Sequence, residues 1–97
     1  MDIATFQQQI ERIYLVRDRE RGAARTFAWL VEEVGELSRA LRGEDRENLE
    51  EEFADVFAWL ASLASLVGVN LETVAASRYG AGCPKCGSAP CSCPPSA

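Results

Sequence analysis

Two short acidic cassettes hold the side chains best suited to chemistry, Glu32-Glu33-Val34-Gly35-Glu36 and Glu51-Glu52-Phe53-Ala54-Asp55. Glu33 and Glu36 are three residues apart, as are Glu52 and Asp55, and side chains at that spacing are neighbours on one helix face. If the two helices pack side by side, four carboxylates converge. Converging carboxylates repel one another unless a cation lies among them, and hard divalent cations prefer oxygen ligands. The sequence has no His, so the Glu-x-x-His pattern of di-iron bundles is missing. An all-carboxylate site suits Mg²⁺ or Mn²⁺, and Mg²⁺ completes its shell with waters and substrate phosphates. No Cys–His nucleophile pair and no Walker-type Gly-rich loop is present. The expected chemistry is metal-assisted hydrolysis of a phosphate ester or anhydride.

The ordinary reading of such acids is a solvated helix face. Two features weigh against it. A solvated acidic helix usually carries Lys or Arg three or four residues away, yet none occurs between Arg46 and Arg78. Glu52 also lies within about 40° of Val56 around the helix, and Glu33 within about 40° of Leu37. These carboxylates therefore edge the packing face instead of opposing it.

A second constellation lies near the C-terminus. Cys83-Pro-Lys-Cys86-Gly87, then Cys91-Ser-Cys93, places four Cys within eleven residues. The first pair has zinc-knuckle spacing, and the second is the shorter C-x-C. A structural Zn²⁺ on Cys83, Cys86, Cys91 and Cys93 is the expectation. A disulfide framework and a redox pair are the alternatives, the first disfavoured in a reducing compartment, the second because no helix follows the C-x-x-C to lower the thiol pKa.

The elements that must position these groups read as helices throughout. Ile3, Phe6, Ile10, Ile13 and Tyr14 form an amphipathic stripe over residues 3–14. The charged run Arg17-Asp18-Arg19-Glu20-Arg21-Gly22 suggests a break or loop, and the Arg-rich stretch from Arg12 to Arg25 a solvated face. Phe27, Leu30, Val31, Val34, Leu37 and Leu41 form the core stripe of a helix over about 23–42. Gly43 and Asp45 then make a short turn into a third helix carrying Leu49, Phe53, Val56, Phe57, Leu60, Leu63, Ala64 and Val67. Helices so joined are expected to be antiparallel neighbours. A short fourth helix runs from about Asn70 to Tyr79. The fold class is all-α, with a helical domain over 1–79. Residues 80–97 hold all four Pro, all four Cys and three of the seven Gly, and form a Cys-rich irregular tail.

Ninety-seven residues make one small domain. The net charge of −5 argues against a nucleic acid polymer as partner, though a bound cation can still admit a nucleotide. The start Met1-Asp2 shows no signal-type apolar region, and no run approaches the roughly 20 apolar residues of a membrane helix. The expectation is a cytoplasmic protein with no membrane association.

The pattern Glu-Glu-x-x-Glu followed by Glu-x-x-Asp on neighbouring helices resembles the MazG-type nucleoside triphosphate pyrophosphohydrolases. Their all-α superfamily also includes dimeric dUTPases and phosphoribosyl-ATP pyrophosphohydrolase. The matching text is Trp29-Leu-Val-Glu-Glu-Val-Gly-Glu-Leu-Ser-Arg-Ala-Leu-Arg42 and Leu49-Glu-Glu-Glu-Phe-Ala-Asp-Val-Phe-Ala-Trp-Leu60. The resemblance implies Mg²⁺-dependent cleavage of a nucleoside triphosphate to the monophosphate and pyrophosphate. Glu33, Glu36, Glu52 and Asp55 would hold the metal, and Glu32 would be the base for the attacking water. Arg25 and Trp29 lie eight and four residues before Glu33, and Trp59 four after Asp55. These could meet a phosphate and a nucleobase, or the Trp residues could serve packing. The resemblance further implies a homodimer or dimer of dimers, which fits the large apolar stripes as a four-helix-bundle-type core shared by two chains. The rival readings are a non-enzymatic dimerisation or adaptor module with a zinc tail, and hydrolysis of a related compound such as phosphoribosyl-ATP.

Overall fold

The computed structural model describes residues 1–95, so positions 96–97 of the Cys-rich tail lie outside the described residues. Four α-helices follow in order, α1 (Ile3–Arg21), α2 (Ala23–Arg42), α3 (Arg46–Leu66) and α4 (Leu71–Tyr79). No strand occurs among the described residues. Each boundary has a local cause. Asp2, Asp45 and Asn70 are extended N-caps whose side chains accept from the amides of Thr5, Asn48 and Thr73, which satisfies donors the first helical turn cannot pair. Gly43 ends α2, and Val67 with Gly68 ends α3.

One sequence expectation is corrected. The charged segment 17–21 is the last turn and a half of α1, not a loop. Charge alone does not break a helix, and here Arg17, Arg19 and Glu20 are exposed while Asp18 turns inward, almost fully buried. Arg21 Nη1 donates to Asp18 Oδ1 at 2.8 Å. The break itself is Gly22, at φ 84 and ψ 165, a backbone region that only glycine occupies readily. Its amide donates to the Asp18 carbonyl and its carbonyl accepts from Thr26, so one residue closes α1 and opens α2.

The packing is centred on α3. α2 and α1 both pack against it, and α4 rests on α1. Phe6 of α1 stacks on Phe57 of α3, ring centroids 4.6 Å apart. Gln7 is buried between α1 and the α3–α4 turn, where its amide donates to Val69 O and Ser65 Oγ and its oxygen accepts from Leu71 N. Ser65 Oγ in turn donates to Glu11, and the Glu72 carboxylate accepts from the Ala4 amide at the start of α1. No single helix among the described residues is long and apolar enough to cross a membrane.

The interior of this one chain is thin. Ile10, Ala40, Ala61 and Ala64 are the buried apolar residues among those described. Of the expected α2 stripe, only Leu30 and Leu37 are half-buried, while Phe27, Val31, Val34 and Leu41 are exposed. Phe53, Phe57 and Leu60 of α3 are exposed as well. The stripe exists, but within one chain nothing covers much of it.

Gly22→Ala tests the α1–α2 corner. A Cβ there meets no atom within 4 Å, so the cost is backbone strain alone, about 1–3 kcal/mol. Urea unfolding at a fixed chain concentration should show that loss, and an unchanged midpoint would count against this account of the corner.

Candidate carboxylate and polyphosphate site

The site is built where α2 and α3 face each other. Trp29 of α2 meets Trp59 of α3, and Glu33 of α2 meets Glu52 and Asp55 of α3. Carboxylate oxygens of Glu33, Glu52 and Asp55 all lie within 4.8 Å of one another. Glu36 stands one turn further along α2, where Arg39 Nη1 donates to its Oε2 at 3.4 Å. Both side chains of that pair are largely solvated, so it contributes little. Glu32 is exposed.

The three clustered acids are not neutralised by the protein. Among the described residues, Glu52 Oε2 is buried with no hydrogen-bond partner, and no ion pair joins a Lys or Arg to the cluster. The Glu33 carboxyl is held above its ordinary value, first by burial and then by the charges of Glu52, Asp55 and Glu36. A buried acceptor without a donor costs about 1–3 kcal/mol, more when charged. A divalent cation among these oxygens would satisfy the orphaned atom and relieve the repulsion, so this donor set fits Mg²⁺ or Mn²⁺.

Beside the cluster is a cavity of about 280 Å³. Asp55 lies in both the acid cluster and the cavity wall. Tyr14, Arg17 and Arg21 of α1 line it, with Ala58, Trp59 and Ser62 of α3. The Arg21 guanidinium sits 4.8 Å from the centre of the Trp59 ring and is held by Asp18 and the Thr26 hydroxyl. Trp59 also stacks with Trp29, centroids 6.1 Å apart and 21° between planes. Arg25 is exposed and does not line the cavity. Sequence reading missed Arg17 and Arg21 because it assigned them to a loop. Their four-residue spacing with each other was the available signal, since it places both on one face of a continuing helix.

The cysteines of the tail also come together. Sγ atoms of Cys83, Cys86, Cys91 and Cys93 lie within 4.8 Å of one another. All four are free thiols. Ser92 beside it, whose amide donates to Cys86 Sγ at 3.3 Å, holds the Cys86 thiol down to about 5. Contact with the Cys91 thiol, then with Cys86 and Cys83, pushes Cys93 up to about 11.

A model of the MazG nucleotide pyrophosphohydrolase domain matches residues 21–79. That span is more than half of the 97-residue chain, and it contains both acidic cassettes and both Trp residues. The chain belongs to the MazG nucleotide pyrophosphohydrolase family. No curated protein compared with the chain matches it.

Glu33 supplies a pH test. Its raised value means that, as pH climbs from the ordinary 4.5, the folded chain keeps a proton there that the unfolded chain has lost. Stability contributed by this group therefore falls with rising pH until the raised value is passed. In EDTA, the stability of the parent should decline across that window relative to Glu33→Gln, which has no proton to lose. Parallel pH profiles of the urea midpoint for the two proteins would remove the strain assigned to Glu33.

Proposed function

We propose that the protein is a Mg²⁺-dependent pyrophosphohydrolase that cleaves a nucleoside triphosphate to the monophosphate and pyrophosphate. The observation that carries this reading is the double position of Asp55, in the acid cluster and in the wall of the Arg-lined cavity. A polyphosphate needs cations on its oxygens, and here a place for a metal adjoins two guanidinium groups.

Glu33, Glu52 and Asp55 would hold the metal on the antiparallel α2–α3 pair, with Glu36 joining from the next turn of α2 once released from Arg39. When bound, Mg²⁺ supplies offset of phosphate charge and polarisation of the phosphoryl group. Arg17 and Arg21 bind phosphate oxygens by charge-assisted hydrogen bonds. Asp18 and Thr26 fix the Arg21 fork, so little side-chain freedom is lost on binding. Trp59 is already engaged by Trp29 and Arg21, and it forms a wall of the pocket. Trp29, half-exposed and stacked on Trp59 through one face, offers its other face to a base. Glu32, next in sequence to the cluster, accepts the proton of the attacking water. Arg25 is assigned to phosphate steering at the rim.

The working unit in this reading is a homodimer. A cavity of about 280 Å³ lies just below the roughly 300–1,000 Å³ of typical ligand sites. The uncovered faces of α2 and α3 include Phe27, Val31, Phe53 and Leu60, an apolar surface of the kind that marks an interface. A second copy covering these faces across a two-fold axis completes a four-helix core and deepens the pocket. Stability then depends on chain concentration.

A panel of nucleoside triphosphates with Mg²⁺ should yield monophosphate and pyrophosphate from at least one of them. Glu52→Gln should lower kcat/KM by on the order of 100-fold or more, because even groups behind a metal ligand are worth about 10–100-fold. Activity of Glu52→Gln within a few-fold of the parent would sink the metal assignment. Sedimentation equilibrium should give twice 10.6 kDa or a multiple of it at micromolar concentration, and a folded monomer would defeat the dimer.

A further inference from the structure

Residues 80–95 contain no Leu, Ile, Val, Phe or Trp, so this stretch has no apolar side chain large enough to hold itself in shape. Yet it is folded, and its shape is built around sulfur. The Cys83 amide donates to Ser88 O at 3.0 Å and the Gly87 amide to Cys83 O at 2.6 Å, which closes a tight turn between the first two cysteines. Gly87 takes φ 75 there. Gly82, at φ 118, lets the returning backbone come close, since a Cβ would meet Gly87 O and Ser88 at 3.0 Å. The turn brings the second pair of cysteines onto the first. Cys83 Sγ lies 3.8 Å from Cys93 Sγ, and Cys86 Sγ 4.0 Å from Cys91 Sγ.

Those separations have a specific meaning. Four thiolates around Zn²⁺ at about 2.3 Å form a tetrahedron whose edges are about 3.8 Å. Free sulfurs gain little from such crowding, because S–H is a weak donor and S a weak acceptor. The backbone instead aims donors at sulfur, Ser92 N–H at Cys86 Sγ (3.3 Å) and Cys93 N–H at Cys91 Sγ (3.4 Å). Amides directed at sulfur stabilise thiolates, the form that ligates metal. The match to the MazG family ends at residue 79, so the cluster stands outside the domain that family defines.

We propose that Cys83, Cys86, Cys91 and Cys93 form a closed tetrahedral Zn²⁺ site that folds residues 83–93, separate from the carboxylate cluster. All four positions are taken by protein sulfur, which leaves no place for water or substrate and makes the ion structural. Binding releases the thiol protons to solvent and transfers no electron. The ion supplies the cross-link that an apolar core supplies elsewhere, and the folding of this segment follows metal occupancy.

The test uses the full chain, stripped of metal under reducing conditions and titrated with Co²⁺. The expected result is one thiolate-bound Co²⁺ per chain, with thiolate-to-metal charge-transfer bands and the intense ligand-field absorption of a tetrahedral site, both lost when equimolar Zn²⁺ is added. The carboxylate cluster, an oxygen site, gives neither band. Zn²⁺-loaded chain should protect all four thiols from a thiol reagent, and chelation should expose all four. Cys86→Ser and Cys91→Ser should each lose the charge-transfer bands or weaken Co²⁺ binding at least tenfold, with the far-UV helical signal retained. Four thiols that stay reactive with Zn²⁺ present, absorption from an oxygen site alone, or purified protein carrying iron at these cysteines would overturn the proposal. None of these outcomes depends on whether the chain hydrolyses a nucleotide.

Discussion

The contact between α2 and α3 is the constraint on which the remaining structure depends. It presses Glu33 against Glu52 and Asp55 and leaves a buried Glu52 oxygen without a donor. Like charges this close oppose the packing that brings them together. The apolar residues flanking the acids, Leu30 and Leu37 on α2 with Val56 on α3, are only half-buried. The pair is therefore held by modest burial against a local repulsion. The fold carries the cost of that repulsion in the buried, unpartnered Glu52 oxygen.

α1 provides the opposite charge. It runs unbroken to Arg21 because Asp18 is buried and paired and because Gly22 is the first residue to adopt a non-helical backbone. That extra turn and a half carries Arg17 and Arg21 to the flank of α3, beside Asp55 and Trp59. Arg21 keeps its pair with Asp18, while no ion pair joins Arg17 or Arg21 to the clustered acids among the described residues. Guanidinium groups on one side and carboxylates on the other set up a field across a small cavity.

The chain solves its shortage of core in two different ways. In the helical part, small residues such as Ala40, Ala61 and Ala64 make up most of the buried apolar surface, while many of the large apolar side chains are exposed. In the tail, backbone turns and four sulfurs replace apolar packing altogether. Both devices are familiar consequences of small size, since a chain near 100 residues buries too little surface to stabilise every segment by burial alone.

By itself the sequence determined that the chain folds as helices, and where three of the four begin. Asp45 and Asn70 as N-caps, Gly22 as a break and the four-helix order follow from local chemistry, which acts within a few residues and needs no partner element. It also determined which acids share a helix face, because a period of 3.6 residues is a property of the backbone. Two matters were decided only by tertiary structure. One was the fate of the charged run 17–21. Its helical state depends on Asp18 finding a buried place beside Arg21, and its role depends on α1 lying against α3. The other was which acids meet. Spacing made Glu33 and Glu36 equal candidates, but the register of α2 on α3 sets Glu33 against Glu52 and Asp55 and leaves Glu36 to Arg39. Register is a relation between two helices, and no local pattern in either one contains it.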